Sequence, residues 1–288
     1  KLIACLSCIA SRRKIYISRG MIMDFSVKDF NVRLRTIRLR EVIIAYAIST
    51  ILTLYLLENV FFISNDQMPT IIFDLFMMIF FCFALSGTRG FKKDLDEVFL
   101  PTTIIRIIFL CAVNIFFELA LVNFIPLADF FFNGASYYAI GMDSGFGILA
   151  YVLDFILAVV IAPISEELLY RGVLFNRLKI RKGVYWGLLI SSVIFGIGHY
   201  YGEDPFMHVI SAMIFGMLMC ALYLKTDNIM ICMAVHFLSN LFVYFNETGI
   251  PDLLFSFQSM IPILFICALF SLIFVPAYIL YYAHKFNA

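Results

Sequence analysis

Charged side chains are scarce in this sequence, and their scarcity excludes an ordinary soluble domain. Only 14% of the 288 residues are Asp, Glu, Lys or Arg, whereas 63% are hydrophobic. Soluble domains typically carry about 25% charged residues. The chain has a single tryptophan but 33 phenylalanines, which suits a surface that faces lipid rather than water. The composition therefore predicts an integral membrane protein.

Cysteine frameworks and two common hydrolase motifs are also missing. The seven cysteines are scattered, without the even, loop-located set that indicates disulfides. Cys5 and Cys8 form a lone C-x-x-C pair, with no second pair to complete a zinc site. The sequence contains neither the H-E-x-x-H of the zincins nor the G-x-S-x-G of many serine hydrolases. These absences exclude both designs.

Long apolar runs recur along the whole chain. A helix needs about 20 apolar residues to cross a bilayer, and eight segments reach or approach this length. We therefore predict an all-α polytopic membrane protein of about eight transmembrane helices, with a four-helix core over residues 147–246. The predicted spans are 42–63, 69–86, 101–126, 147–170, 184–201, 206–224, 228–245 and 257–283.

Basic residues predict how these spans are oriented. None of the 21 Lys and Arg lies in a predicted outer loop, so the positive-inside rule places the amino terminus and the basic loops in the cytoplasm. Residues 1–41 are expected to form a basic cytoplasmic leader, and residues 42–288 a single membrane domain. The leader segment Arg33–Arg40 is expected to fix topology and contact anionic lipids rather than nucleic acid. A bacterial plasma membrane is the expected location.

The first residues carry an expectation of their own. The chain opens with Lys1, and Met21 and Met23 precede the basic part of the leader. We expect residues 1–20 to lie upstream of a natural start at Met21 or Met23. Mass spectrometry of the native amino terminus would test this, and a peptide spanning residues 11–19 would contradict it.

Three short polar signatures interrupt the apolar helices. Ionisable groups at membrane depth are costly, so they are functional candidates by default. At about 1.5 Å per residue, two of the signatures lie at comparable distances from the turn between their helices. We predict that all three meet in one site. The signatures are Glu166-Glu167-x-x-x-Arg171, Phe195-x-x-x-His199 and His236-x-x-x-Asn240.

The residue types of these signatures suit the activation of water. A buried carboxylate such as Glu166 can act as a general base. His199 and His236 can orient the water directly or bind a metal that acidifies it. Asn240 lies four residues after His236, on the same helix face, and can donate a hydrogen bond to developing negative charge.

The remaining motif residues are expected to support the site. Glu167 and Arg171 are four residues apart, so we expect them to pair and to brace the helix. Phe195 is expected to form a wall of the cavity. Pro163 lacks an amide hydrogen and is expected to kink the helix just before the two glutamates.

The three signatures, in this order and on these helices, resemble those of the CAAX prenyl protease and bacteriocin-processing (CPBP, or ABI) family of intramembrane endopeptidases. The resemblance covers about residues 147–246 and implies hydrolysis of a peptide bond in a peptide or membrane-tethered substrate. It implies that Glu166 and His199 activate the water, and that His236 and Asn240 complete the site or hold the oxyanion. It leaves open whether a Zn²⁺ bound by Glu166, His199 and His236 takes part or the mechanism is metal-free.

Two other functions stay open from the sequence. One is a non-proteolytic bacteriocin-immunity or scaffold protein of the same family. The other is a proton-coupled transporter, although carriers often show internal repeats and this chain shows none. The sequence fixes neither the oligomeric state nor the roles of four further polar residues in or near spans, Asp74, Arg106, Glu118 and Asp154.

Overall fold

A computed structural model describes residues 26–59, 68–133, 152, 155–200, 205–247 and 261–287. Within these ranges the chain is helical and contains no strand, only a single bridge between Asp29 and Arg89. This confirms the all-α prediction. The helices are α1 (Phe30–Thr36), α2 (Leu39–Asn59), α3 (Met68–Ala84), α4 (Phe91–Val98), α5 (Pro101–Asn133), α6 (156–182), α7 (Val184–Ile197), α8 (Pro205–Thr226), α9 (Ile229–Glu247) and α10 (Ile261–Asn287).

Seven of these helices have the apolar character of membrane segments, and each coincides with a predicted span. Four are long and apolar enough to cross a bilayer, namely Leu39–Glu58, Pro101–Leu121, Pro205–Thr226 and Pro262–Asn287. Three are shorter, namely Ile72–Ala84, Val184–Ile197 and Ile229–Tyr244. The remaining span, 147–170, overlaps α6. The chain is thus a polytopic membrane protein. The three signatures lie on α6, on α7 with the turn after it, and on α9.

Helix α6 is longer than its predicted span, and a glycine ends it. The polar stretch Asn176–Lys182 extends the helix until Gly183, whose φ of +88° favours glycine. Gly183 turns the chain into α7. Gly187 lies close to the backbone before this turn, since an added Cβ would lie 2.8 Å from the Lys179 amide nitrogen.

The backbone of α6 changes register three times. It runs as a π-helix over Ile156–Ile161, an α-helix over Ala162–Glu166, a π-helix over Glu167–Phe175 and an α-helix over Asn176–Lys182. π-Turns are rare and occur frequently at functional sites. Pro163 lies near the start of the first α stretch, so the irregularity predicted there takes the form of a register change. Glu166 and Glu167 lie on either side of the next one.

The segments predicted to be cytoplasmic gather at one end of the bundle. Asn31 in α1 donates to the carboxylate of Asp94 in α4 at 2.6 Å. Asn228, in the turn between α8 and α9, donates to the Asp94 carbonyl at 2.9 Å. Arg35 in α1 forms an ion pair with Asp227 in the same turn. Helix α1, helix α4 and the turn between α8 and α9 therefore contact one another, which agrees with their predicted location on one side of the membrane.

The leader arginines do more than the expected topology and lipid role. Arg33 is only 2% exposed and donates to the Val27 carbonyl. Arg177 in α6 donates to the carbonyl of Ile37 at 2.8 Å, the residue after α1. The leader packs as part of the protein because its helix has an apolar face, including Phe30 and Leu34, which are buried.

Helices α7 and α8 approach closely because glycines line their contact. An added Cβ at Gly196 would lie 2.7 Å from the Val209 carbonyl oxygen, and one at Gly216 would lie 3.1 Å from Ser192 Cβ. Small residues permit such backbone approach between membrane helices. The contact holds the carboxyl half of α7, which leads to His199, against α8.

Candidate active site

Glu166, His199 and His236 converge from three segments. His199 Nε2 lies 4.0 Å from Glu166 Oε1, and His236 Nε2 lies 3.6 Å from Glu166 Oε2. The side chains of Glu166 and His199 retain 20% and 22% exposure, whereas that of His236 retains 3%. The structure therefore brings together the predicted acid and both imidazoles, in a site that is partly open at Glu166 and His199.

The other ring nitrogen of each histidine is held by an oxygen acceptor. His199 Nδ1 lies 2.8 Å from the Phe195 carbonyl oxygen, and His236 Nδ1 lies 2.9 Å from Glu167 Oε1. A carbonyl or an ionised carboxylate only accepts hydrogen bonds, so we assign the ring proton to Nδ1 in both residues. In the neutral imidazoles, both Nε2 atoms are then acceptors.

By this assignment the Glu166 carboxylate and the two Nε2 atoms are three acceptors that face one another. The separations of 3.6 Å and 4.0 Å around Glu166 are too long for direct hydrogen bonds. Polar groups at such separations are commonly bridged by water. One water could donate to Glu166 and to one imidazole while its lone pairs remain available to attack.

Glu167 and Arg171 form a buried pair beneath this cluster. Arg171 Nη1 lies 3.0 Å from Glu167 Oε1, and their side chains are 1% and 0% exposed. Arg171 also donates to the Gly216 carbonyl at 3.4 Å. The spacing predicted this pair, but it gave no sign that the same Glu167 oxygen also bonds His236. Glu167 therefore connects the brace of α6 to a histidine of the cluster.

Phe195, the expected cavity wall, packs against both histidines of the cluster. It is 1% exposed, and its ring centroid lies 4.4 Å from that of His199 and 6.0 Å from that of His236. The Arg171 guanidinium carbon lies 4.5 Å from the same ring centroid, a distance that allows cation–π attraction. The ring therefore contacts the buried guanidinium and both imidazoles.

Asn240 is anchored to α6. Its Nδ2 donates to the Ala158 carbonyl at 2.9 Å, and Ala158 lies in the first π stretch. A side-chain amide nitrogen carries two hydrogens, so one N–H remains for another acceptor. The sequence predicted a donor at this position, but not the bond that fixes its orientation.

Two further polar residues near Glu166 were not predicted to act there. Ser165 donates to Asp74 Oδ1 at 3.0 Å, which ties α3 to the residue before Glu166. Asp74 is 7% exposed. Its only sequence signal was a carboxylate in an apolar span. Of the other unassigned residues, Glu118 accepts from Asn114 on its own helix, Arg106 is exposed and Asp154 lies outside the described residues.

Tyr170 is another residue to which the sequence assigned no role. It lies four residues after Glu166, and its ring packs edge-on against Phe195 with centroids 4.9 Å apart. Its hydroxyl lies 3.4 Å from the position that a Cβ would take on Gly198, the residue before His199. Among the described residues it has no hydrogen-bond acceptor. The phenol is therefore a donor held beside His199.

A metal centre was one of the alternatives left open by the sequence. Two imidazole nitrogens and a carboxylate are donors that zinc accepts. In the ranges that the structure describes, however, no group of three His, Cys, Asp or Glu side chains is arranged to hold a metal ion. The proposed reaction steps therefore use no metal ion.

The motif-bearing segment matches a known family. Residues 148–242 fit the model described as type II CAAX prenyl endopeptidase Rce1-like. The chain is also similar to a curated Bacillus subtilis (strain 168) protein named "Putative membrane peptidase YdiL", with 32% identity over 96 residues. The aligned region covers 33% of this chain and 38% of that relative. No solved structure matches the chain.

The matched region begins before α6, ends within α9 and includes every residue of the cluster. The resemblance predicted from the three motifs is therefore confirmed. Residues 148–242 are similar to the Rce1-like type II CAAX prenyl endopeptidases.

Proposed function

We propose that this protein is an intramembrane endopeptidase that hydrolyses a peptide bond with a water held by Glu166, His199 and His236. The observation that carries the proposal is the convergence of one carboxylate and two Nε2 acceptors, 3.6–4.0 Å apart. The family match over the same segment supports it independently.

The steps need only these side chains, water and the substrate. The Glu166 carboxylate takes a proton from the water, and the water oxygen attacks the carbonyl carbon of the scissile bond. The carbonyl oxygen becomes an oxyanion in the tetrahedral intermediate. Glu166 then passes its proton to the amide nitrogen, the C–N bond breaks, and a carboxylic acid and an amine leave. General acid–base catalysis of this kind contributes about 10²–10⁴-fold in rate.

The water donates one hydrogen to Glu166 and the other to one imidazole Nε2, so a histidine orients the water rather than takes its proton. Each is fixed through Nδ1, by Phe195 and by Glu167, so each presents Nε2 at a set angle. Fixing the attacking water in this way lowers the entropic part of the barrier. The oxyanion is stabilised by the second N–H of Asn240, with the Tyr170 hydroxyl as a further donor.

The substrate class follows from the surroundings of the site. Glu166 lies in a helix packed among apolar helices, so a substrate must enter from the bilayer or from the end of the bundle. The matched family is described as acting on CAAX prenyl substrates, and a lipid-anchored peptide suits entry from the bilayer. We therefore propose a peptide or membrane-tethered protein as substrate, in a bacterial plasma membrane with the leader in the cytoplasm.

Cleavage by the purified protein in proteoliposomes tests the proposal. The substrates are quenched-fluorescent peptides, in a farnesylated CAAX set and an unprenylated set, with products identified by mass spectrometry. We expect cleavage by the wild type and loss of cleavage in Glu166→Gln and His199→Ala at equal membrane abundance. Cleavage that both variants retain in full would contradict the proposal.

The same variants separate the enzyme from its alternatives. A scaffold or immunity protein would keep its cellular protection in Glu166→Gln, since partner binding needs no proton transfer. A proton-coupled carrier would show substrate flux across the liposome membrane without new peptide termini.

A further inference from the structure

Leader helix α1 packs directly against the backbone of the catalytic helix α6. Leu34 is fully buried. A Cβ added to Gly172 would lie 2.8 Å from Leu34 Cδ2 and 2.9 Å from its Cδ1 and Cγ. Gly172 follows Arg171, so the leader side chain occupies the space beside the backbone that carries the buried ion pair. A Cβ on Gly172 would therefore require the Leu34 side chain or the two helices to move.

A hydrogen-bond chain makes a second connection between the leader and α6. Arg35 pairs with Asp227, and its Nε donates to the Tyr223 hydroxyl at 3.4 Å. The amide of Asn176 donates to the same hydroxyl at 3.2 Å. Asn176 and Tyr223 are each 1% exposed. The chain therefore runs from the leader through α8 to the interior of α6.

Asn176 acts at the point where α6 leaves its π register. The π stretch Glu167–Phe175 ends immediately before it. Its Nδ2 lies 3.1 Å from the Arg171 carbonyl oxygen and 2.9 Å from that of Gly172. Where the backbone changes from i→i+5 to i→i+4 hydrogen bonds, a carbonyl oxygen can be left without a backbone N–H donor. A buried carbonyl without a donor is costly. The Asn176 side chain supplies a donor there and so fixes where the π stretch ends.

The register of that stretch decides the direction of Arg171 relative to Glu167, the first residue of the stretch. Loss of the π register would rotate Arg171 around the helix axis and break its contact with Glu167 at 3.0 Å. Glu167 would then lose the partner that holds it toward His236 Nδ1, 2.9 Å away. The orientation of His236 therefore depends on contacts made at the leader end of the molecule.

We propose that leader helix α1 is a positioning element of the active site, acting through Leu34 on Gly172 and through Arg35, Tyr223 and Asn176 on the π-helical register of α6. The effect on catalysis rests on the proposed peptidase function. The mechanical coupling of α1 to α6 does not.

A size exchange at the α1–α6 contact gives the first test. Gly172→Ala should lower kcat by about 10- to 100-fold, since small misplacements of catalytic groups have effects of this order, with KM little changed. Adding Leu34→Ala removes the atoms that the new methyl group meets. The kcat of the double variant should therefore be higher than that of Gly172→Ala. It should stay below the wild-type value, because Leu34→Ala by itself leaves a cavity. Failure to recover would overturn the proposal.

The hydrogen-bond chain gives the second test. Tyr223→Phe removes only the hydroxyl, and Arg35→Gln removes the charge that reaches it. Arg40→Gln is the matched control, because Arg40 is an exposed arginine of the same segment. Tyr223→Phe and Arg35→Gln should each lower kcat severalfold at unchanged KM. The two losses in kcat should not add in the double variant, because both substitutions interrupt the same hydrogen-bond chain. Additive losses, or an equal loss in Arg40→Gln, would contradict the proposal.

Thermal unfolding midpoints of the detergent-solubilised variants provide a readout that needs no substrate. Gly172→Ala should lower the midpoint, and the double variant with Leu34→Ala should recover part of the loss. If this recovery occurs while the wild type cleaves no peptide, the coupling stands and the peptidase function fails. If cleavage is found but neither the midpoint nor kcat recovers, the positioning role of α1 fails.

Discussion

His236 bonds Glu167 through Nδ1 at 2.9 Å, and this bond leaves Nε2 of the ring to face Glu166, 3.6 Å away. The same Glu167 oxygen lies 3.0 Å from Arg171. Arg171 therefore neutralises the carboxylate that orients the histidine. An arrangement in which a carboxylate fixes a ring through one nitrogen while the other acts is familiar from hydrolases that use histidine. The second glutamate of the motif thus has an orienting role as well as a bracing one.

Glu166→Gln should abolish peptide cleavage while the protein still folds. The amide keeps the size of the carboxylate but cannot take the proton of water, so we expect a loss of about 10²–10⁴-fold in kcat/KM. Glu118→Gln is the matched control, because Glu118 is another carboxylate in an apolar helix and bonds Asn114 on its own helix. Equal losses in the two variants would show that any intramembrane carboxylate is needed, which would remove Glu166 as the base.

Glu167→Gln should damage both stability and activity. It leaves the Arg171 charge buried without its partner, at 1% exposure, and breaking such a pair typically costs about 3–5 kcal/mol. A second change, Arg171→Met, removes the orphaned charge. The double variant should therefore unfold at a higher temperature than Glu167→Gln alone, whereas cleavage should stay low because His236 has exchanged a charged acceptor for the weaker oxygen of a neutral amide. Recovery of cleavage in the double variant would argue against the orienting role.

Asn240→Asp and Asn240→Ala should both slow the chemical step. Removal of one oxyanion donor typically costs about 10²–10³-fold in kcat. Aspartate preserves the size of the side chain but loses both N–H groups, so it should be no better than alanine. Ser239→Ala, at the neighbouring position on α9, is the control. An Asn240→Asp variant with wild-type kcat would remove the oxyanion role and leave only the bond to Ala158.

The sequence could predict what periodicity and motif spacing encode. Apolar runs predicted the spans, and the four-residue spacing predicted the Glu167–Arg171 pair. It could not predict the π stretches of α6, because the apolar periodicity does not record local side-chain bonds such as those of Asn176 or distant contacts such as that of Leu34 with Gly172. The bond from Asn240 to Ala158 was hidden for the same reason, since it joins residues 82 positions apart. Arg35 was taken for a topology signal because its partners, Tyr223 and Asp227, are remote in the chain.

Tyr170→Phe tests whether the phenol contributes a hydrogen bond during the reaction. The substitution keeps the ring that packs edge-on against Phe195, so the unfolding midpoint should not fall. Loss of a hydrogen bond made mainly in the transition state should lower kcat and kcat/KM equally, by about tenfold for a bond near 1.4 kcal/mol. A change in KM alone would assign the hydroxyl to substrate binding.

Chelation and metal analysis decide whether the reaction depends on a bound ion. The proposed steps use Glu166, His199 and His236 to hold water, so cleavage should survive prolonged dialysis against EDTA. Metal content of the purified protein, measured by inductively coupled plasma mass spectrometry, should not change in His236→Ala. If instead the wild type holds one zinc per chain, loses it in His236→Ala and regains activity only on zinc addition, the three side chains are metal ligands. The attacking water would then be activated by the ion, and Glu166 could not serve as the base in the way proposed.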